Sequence, residues 1–304
     1  MNVFVTGVNG QLGHDVINEL VSREYQCTGS DITSLYSGMA DGTAVTRTDY
    51  VAMDITNMQQ VSEVLTTINP DVVIHCAAFT KVDLAEDEPE LCWAINVDGT
   101  RNIAKVCRDI DAKMVYISTD YVFPGNGDAP YEVNDAFCPQ NVYGATKLAG
   151  ELAVKSLLNR FYIVRTAWVF GINGNNFIKT MLKVGKTHDT VRVVNDQIGT
   201  PTYTLDLAHL LCDMIETDNY GIYHATNEGG YISWYDFTCE IYKQAGLSTN
   251  VIPVTTIEYG LSKAKRPQNS RLSKSSLYDH NFKPLPAWKE ALSDYLNTLY
   301  IQEK

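Results

Sequence analysis

A chain of 304 residues can hold one large domain, or a large domain with a small companion. With 45% hydrophobic and 20% charged residues it has an ordinary globular balance and enough apolar side chains for a sizeable core. A net charge of −12 argues against sequence-independent nucleic-acid binding, which draws its affinity from basic surface, but it leaves room for a local basic pocket. The seven cysteines (Cys27, Cys76, Cys92, Cys107, Cys138, Cys212 and Cys239) are odd in number and form no C-x-x-C pair. That pattern fits reduced thiols better than a disulfide framework or a zinc site. Residues 1–6 read as a strand, with no secretory signal and no apolar run long enough to span a bilayer. The expected setting is therefore the cytoplasm, with neither membrane nor nucleic acid as a partner.

In chain order, residues 3–6, 71–76 and 114–118 are short β-branched runs that read as buried parallel strands. Between them lie helical stretches at 12–22, 58–68 and 91–110. In the first of these, Leu12, Val16 and Leu20 repeat every four residues as an apolar stripe. Residues 33–50 are polar and aperiodic, a surface loop. Alternation of this kind implies a doubly wound, Rossmann-type parallel sheet. A further strand, 161–166, leads to Trp168 and Phe170. Beyond Gly171 the texture changes: a turn at 172–176, a helix at 177–185, a strand at 190–194, a helix at 206–216 and a strand at 221–225. From about Ser233 come helices, a strand at 251–254 and Pro-rich turns. The division expected is a dinucleotide-binding domain over 1–170, with segments near 201–228 returning to its sheet. A smaller, discontinuous α/β substrate domain would occupy 171–304.

Directly after the first strand stands Gly7-Val-Asn-Gly10-Gln-Leu-Gly13. Gly7 permits a tight exit from the strand, Gly10 lets backbone approach a pyrophosphate, and Gly13 allows close helix packing. The diphosphate would sit at the helix N-terminus, where free N–H groups favour anions, with Gln11 and Leu12 beside it. Asp31 ends the second strand, where a carboxylate either caps a turn or binds the adenosine ribose hydroxyls, favouring NADH over the extra phosphate of NADPH. Asp54 and Ile55 would flank adenine. Ala77 and Ala78 are small enough for a cofactor to approach their backbone.

The sharpest local signal is Tyr143-Gly-Ala-Thr-Lys147. On a helix these two side chains lie one turn apart on one face, where the ammonium favours the phenolate and lowers a pKa that is ordinarily near 10. Taken alone, such a pair fits a solvated salt-bridge face better, since a chance Tyr-x-x-x-Lys is common. The segment Ser118-Thr119-Asp120-Tyr121-Val122-Phe123 places a hydroxyl at a strand's C-terminal end, where doubly wound sheets meet their ligands.

Glycine loop, strand-end hydroxyl and Tyr-x-x-x-Lys helix, in that order, resemble the extended short-chain dehydrogenase/reductase superfamily. A narrower likeness rests on Gly10-Gln11-Leu12-Gly13, Ala77-Ala78-Phe79-Thr80-Lys81-Val82-Asp83, Ser118–Phe123 and the run from Tyr143 to Glu151. Arg165-Thr-Ala-Trp168-Val-Phe170, Asn175-Asn176-Phe177, Asn195-Asp196-Gln197, Pro201-Thr202 and Arg266-Pro-Gln-Asn-Ser270 extend it over nearly the whole chain. Together they resemble the dTDP-4-dehydrorhamnose reductase family. The resemblance implies NADH- or NADPH-dependent reduction of a dTDP-4-keto-6-deoxysugar. Tyr143 would be proton donor, Lys147 its partner, and Thr119 would tune the phenol and touch substrate. It places Gly7, Gly10, Gln11, Leu12, Gly13, Asp31, Asp54, Ile55, Ala77 and Ala78 on the dinucleotide. Asp120, Trp168, Asn176 and Gln197 face the sugar nucleotide, with Arg266 on its diphosphate. Lys81 and Leu84 depart from the family pattern, and the 33–50 loop is longer than usual for it. Some members form a Mg²⁺-bridged dimer; no acidic set for that ion stands out here, so no metal ligand is assigned and the chain is read as a monomer or a homodimer.

Other residues have plainer readings. His75, inside a buried strand, is a satisfied core residue, and Trp93 and Trp234 are packing anchors on helices. A sugar-nucleotide epimerase or dehydratase on the same scaffold is the first rival, but a dehydratase would follow Thr119 with an Asp-Glu pair, and here Asp120-Tyr121 follows. A non-catalytic subunit resembling the regulatory subunit of methionine adenosyltransferase is the second; the intact Thr119, Tyr143 and Lys147 set favours catalysis.

Overall fold

The computed structural model describes residues 1–36 and 48–302, and the side chains of 1–36 and 48–300. Strands β1 (Asn2–Thr6), β2 (Gln26–Asp31), β3 (Asp49–Ala52), β4 (Val72–His75), β5 (Lys113–Thr119) and β6 (Phe161–Thr166) form the main sheet with the strand Gly221–His224. The order across it is Gly221–His224, β6, β5, β4, β1, β2, β3. Every neighbouring pair is parallel. Strand order therefore reverses between β1 and β4, the switch point at which a doubly wound sheet opens a crevice at its carboxyl edge.

Alternation along the strands sorts side chains into two layers. Val3 and Val5 join Leu12, Val16 and Leu20 of helix α1 (Gln11–Ser22), together with Leu207 and Leu211 of the Thr204–Ile215 helix. Phe4 points the other way, into a core with Val61 and Leu65 of the Met58–Ile68 helix and Val154 of the Val142–Leu157 helix. A third core lies beyond the sheet edge, where Phe170, Ile178, Phe237, Trp288, Leu292 and Tyr295 pack together. There the strand Asn250–Val254 pairs in parallel with Thr190–Val194. Among the described residues no helix is long and apolar enough to cross a membrane.

Two expectations change. The surface loop at 33–50 is shorter at its far end, because Asp49 and Tyr50 pair with Thr28 and Gly29; residues 37–47 lie outside the described part. The single helix at 91–110 is three pieces: Pro89–Trp93, a π-helical Ala94–Gly99 and Thr100–Asp109. The Asn96 side chain explains the interruption. Its amide donates to Phe79 O and Thr146 Oγ1, and its Oδ1 accepts from the Phe79 N–H, tying the turn to the chain after β4. Bulges of this type recur beside functional sites.

The Val142–Leu157 helix packs unusually close to this turn. A Cβ built on Gly150 would stand 2.2 Å from the Tyr116 hydroxyl and 2.8 Å from Asn96 O. Gly150→Ala is therefore expected to destabilise the fold by about 1–3 kcal/mol, as overpacking does. A thermal melt should fall by several degrees, and a variant that melts like wild type would show that the helix has room to retreat.

Candidate active site

All eighteen residues assigned to a ligand from the sequence line one cavity of about 1070 Å³ at the carboxyl edge of the sheet. The phosphate loop supplies one end. Gly7 has a φ of +74°, and its N–H donates to Ser30 O at 2.8 Å. A side chain there would collide with the Ala77 backbone at 2.6 Å, so the loop can lie against β4 only as glycine. Gly13 closes the loop upon itself rather than the helix upon the sheet: its Cβ would meet Gly7 O at 2.2 Å. Gln11, Leu12 and Gly13, whose N–H groups open α1 without helical partners, all border the cavity. Ser30 Oγ is buried at the same end with no hydrogen-bond partner.

Asp31 caps its turn and also borders the cavity. Its carboxylate accepts from the Asn9 N–H at 3.0 Å and the Ile32 N–H at 2.8 Å, bracing the loop, while the residue still borders the cavity. Asp54 likewise caps its own turn through Thr56. Ile55 lies against Gly99, where an added Cβ would stand 2.7 Å from its side chain.

The other end holds the ionisable groups. The Asn141 side chain caps the Val142–Leu157 helix by accepting from the Gly144 N–H at 2.8 Å. Tyr143 thus projects from the first turn and meets the Tyr121 ring edge-on at 5.5 Å. Burial raises the Tyr143 phenol well above its ordinary value, against the lowering effect of the Thr119 hydroxyl. Burial also brings Lys147 down to about 7, opposed by the Glu151 carboxylate. Its Nζ lies 4.1 Å above the Tyr116 ring. This differs from the expectation that the lysine lowers the phenol: desolvation dominates, and the phenol stands above its ordinary value. Thr119 donates to Asp120 Oδ1 at 2.9 Å, and Ser270 donates to Oδ2. Burial raises Asp120 to about 6, against the lowering by those two hydroxyls. A buried phenol that keeps its proton beside a strand-end hydroxyl can give that proton to a carbonyl oxygen.

The substrate-side assignments fare unequally. Trp168 adopts a φ of +49°, uncommon for so bulky a residue, and stacks face to face on Trp234 at 3.7 Å. Asn176 borders the cavity, yet its amide is spent on the fold. Its Oδ1 caps the Phe177–Gly185 helix, and its Nδ2 donates to Gln11 Oε1, Gly171 O and Tyr295 OH. Gln197 donates to Thr256 Oγ1 at 3.0 Å. Arg266 donates to Asp83 Oδ2 at 2.6 Å and Tyr121 OH at 3.1 Å, which orients its guanidinium along the cavity wall.

A family model described as "RmlD substrate binding domain" matches residues 1–301. The Bacillus subtilis spore coat polysaccharide biosynthesis protein SpsK is 38% identical, covering 97% of this chain and 96% of its own. The dTDP-4-dehydrorhamnose reductase of Escherichia coli K12 is 35% identical over 99% of this chain and 98% of its own. The chain belongs to the dTDP-4-dehydrorhamnose reductase family. A crystal structure of the Bacillus anthracis family member in complex with NADP superposes with a TM-score of 0.89 at 41% identity, covering 98% of this chain and 99% of that one.

In this reductase-family frame, the sequence missed several wall residues. Trp234, read as a packing anchor, borders the cavity; the signal was available, since the Ser233/Asp236 capping box puts it at a helix tip. Trp234 does anchor packing, against Phe177 and Phe237, as well as bordering the cavity; Trp93, being 45% exposed, is no anchor. Ser270 and Asp83 act through Asp120 and Arg266, contacts between distant segments that no local pattern announces. His75 is buried between the hydroxyls of Thr6 and Thr100, as expected of a satisfied core residue. Among the described residues no group of three or more His, Cys, Asp or Glu is placed to hold a metal ion.

The loop fits a dinucleotide diphosphate through its open backbone, the first-turn N–H groups and the orphaned Ser30 hydroxyl. Gly13→Ala should force Gly7 aside, lowering the melt and weakening NADH or NADPH binding together. Isothermal titration checks this, and wild-type affinity in that variant would remove the loop from the cofactor site.

Proposed function

We propose that this chain reduces the 4-keto group of dTDP-4-dehydrorhamnose to give dTDP-L-rhamnose, for cell-surface polysaccharide biosynthesis in the cytoplasm. NADH or NADPH would serve as cofactor and supply the hydride to the carbonyl carbon. The observation that carries this reading is the convergence of the glycine loop and the Thr119, Tyr143 and Lys147 set on one cavity, in a chain whose relatives include named dTDP-4-dehydrorhamnose reductases.

Each group then has a task. Tyr143, held protonated by burial, gives its proton to the carbonyl oxygen. Thr119 hydrogen-bonds at the phenol and steadies the substrate, with Asp120 fixing its hydroxyl. Lys147 supplies positive charge as the phenolate develops and binds the nicotinamide ribose. Gly7, Gly10, Gln11, Leu12 and Gly13 hold the diphosphate of the dinucleotide, Asp31 its adenosine ribose, and Asp54 and Ile55 flank its adenine, while Ala77 and Ala78 let the cofactor approach their backbone. Residues 1–170, with the segments returning near 201–228, form the cofactor domain; 171–304 form the sugar-nucleotide domain. Arg266, turned by Asp83 and Tyr121, takes a substrate phosphate, because guanidinium binds phosphate in a bidentate fork. Asn176 contributes by holding Gln11, and Gln197 lines the sugar end.

The direct test is oxidation of NADH or NADPH coupled to enzymatically generated dTDP-4-keto-rhamnose, with identification of the product. Tyr143→Phe keeps the ring and removes the acid, so kcat should fall roughly 10²–10⁴-fold with little change in nucleotide binding. Near-wild-type turnover in that variant would end the assignment of Tyr143 as donor.

Trp168 sits where an indole face can pack against the deoxysugar and its methyl group. Trp168→Ala should melt within a few degrees of wild type and lose dTDP-sugar affinity while keeping NADH affinity. A core residue would instead cost about 3–5 kcal/mol. Paired melts and titrations separate the two: a large melting shift without selective loss of sugar binding takes Trp168 out of the site.

A further inference from the structure

Behind the catalytic helix lies a charge pair that the proposed chemistry leaves unused. Glu151 stands one turn beyond Lys147 and two beyond Tyr143, so all three share a face of the Val142–Leu157 helix. Glu151 is 1% exposed and Arg165, on β6, is 0% exposed. The guanidinium grips the carboxylate as a fork, Nε to Oε1 and Nη2 to Oε2, both at 2.8 Å. Ser118, the residue before Thr119, adds a third bond to Oε1 at 2.5 Å. Ser118, Arg165 and His224 are register partners across three adjacent strands.

The far edge of the guanidinium is equally satisfied. Nη1 donates to Val133 O at 2.9 Å and lies 3.2 Å from His224 Nε2. Arginine accepts no hydrogen bond, so Nε2 must carry the lone pair, and Nδ1 holds the proton it gives to Ser273 O at 3.1 Å. Burial and the adjacent guanidinium bring this imidazole down to about 3, so it stays neutral. The fork therefore has one partner of opposite charge, Glu151.

Such a pair is weak support for stability in itself, since apolar replacements often match it. Its position relative to Lys147 gives it another use. Cys92 from the Pro89–Trp93 helix, and His75 and Cys76 from β4 and its end, surround the lysine and are kept neutral by burial. Tyr116 offers its ring from β5. Asp120 and Tyr121 act on Tyr143 instead, and Glu86 is turned to the Val142 N–H. Among the described residues, Glu151 is the carboxylate that favours the charged lysine.

We propose that Glu151, clamped by Arg165 and Ser118, is a positioning residue that seats the Tyr143–Lys147 face against the sheet and keeps Lys147 as an ammonium in its buried wall. The inference rests on the reductase reading for its purpose, but its physical content can be measured without turnover. Removing the carboxylate deprives the ammonium of support, so Lys147 loses its proton at lower pH. If reduction needs the ammonium, the high-pH limb of kcat then moves to lower pH as well.

The experiment uses the full chain and three variants. Glu151→Gln strands a guanidinium in the core, a change that endangers folding, whereas Glu151→Gln with Arg165→Met removes both charges together. Glu151→Asp keeps the charge. Competitive acetylation with acetic anhydride across a pH series, read by mass spectrometry on the Lys147 peptide, reports the lysine's midpoint directly. We expect it to fall by about one pH unit in whichever charge-removing variant folds, to hold in Glu151→Asp, and to be followed by the kcat limb. An unchanged midpoint in a folded double variant would overturn the proposal, as would unfolding of both charge-removing variants beside a native, fully active Glu151→Asp. A wild-type chain inert toward the keto sugar would defeat the reductase reading, and the Lys147 midpoint would still decide this one.

Discussion

Desolvation of a phenol, an amine and a carboxyl along one wall of a single cleft is the constraint from which the rest of the site follows. Burial favours the neutral form of each group, raising Tyr143 and Asp120 and lowering Lys147. A cleft that only buried these groups would leave a phenol with no charge to support its phenolate. The surrounding fold opposes that tendency at two points. Thr119 and Ser270 both donate to the Asp120 carboxylate, and the Glu151 carboxylate acts on Lys147 from one turn away. The protonated phenol is the form required of the acid in the proposed reduction.

Placing those groups depends on close backbone contacts more than on side-chain bulk. Gly144 lies so near the turn after β5 that a Cβ would stand 2.3 Å from Tyr121 O, and Gly150 presses on Tyr116 and Asn96 in the same way. These two glycines let the helix carrying Tyr143 and Lys147 descend onto the strand carrying Thr119. Gly150, in the helix interior, costs about 0.5–1 kcal/mol of propensity relative to alanine, a modest loss against what the close approach positions.

The parts legible in the sequence were those with a local period or a fixed order. The glycine loop between β1 and α1, the hydroxyl closing β5 and the Tyr-x-x-x-Lys helix fall where their spacing put them, and 58–68, 161–166, 177–185 and 190–194 coincide with the observed elements. What escaped depends on partners far away in the chain. The π-helical break at Ala94–Gly99 is set by Asn96 reaching Phe79 and Thr146, which a helical period over 91–110 cannot register. The pairing of Asp49 and Tyr50 with β2 extends a strand into a stretch too polar to show a period of two. Burial was the deepest omission: a one-turn spacing brings Tyr143 and Lys147 to one face, but it does not reveal that desolvation outweighs their mutual attraction.

The cofactor and sugar ends of the cavity are also joined mechanically, through Gln11. Its side-chain oxygen accepts from the Gly171 N–H at 2.8 Å and from Asn176 Nδ2 at 3.1 Å, hooking the phosphate loop to the segment that leads into the third core. Asn173 adds bonds to Asn9 O and Gly10 O from the same segment. One helix further on, Thr204 donates to the buried Asp15 of α1, and burial raises that carboxyl to about 7 against the lowering by Thr204. The loop's shape is therefore set from both sides, by β4 against Gly7 and by the 171–176 crossing against Gln11. In the proposed reading, a shift of the crossing as a sugar nucleotide settled beside Trp168 would reach the loop proposed for the diphosphate through these bonds. Asn176, which donates to both Gln11 and Tyr295, stands at that junction, and this accounts for a residue that borders the ligand cavity while spending its own polar atoms on the fold.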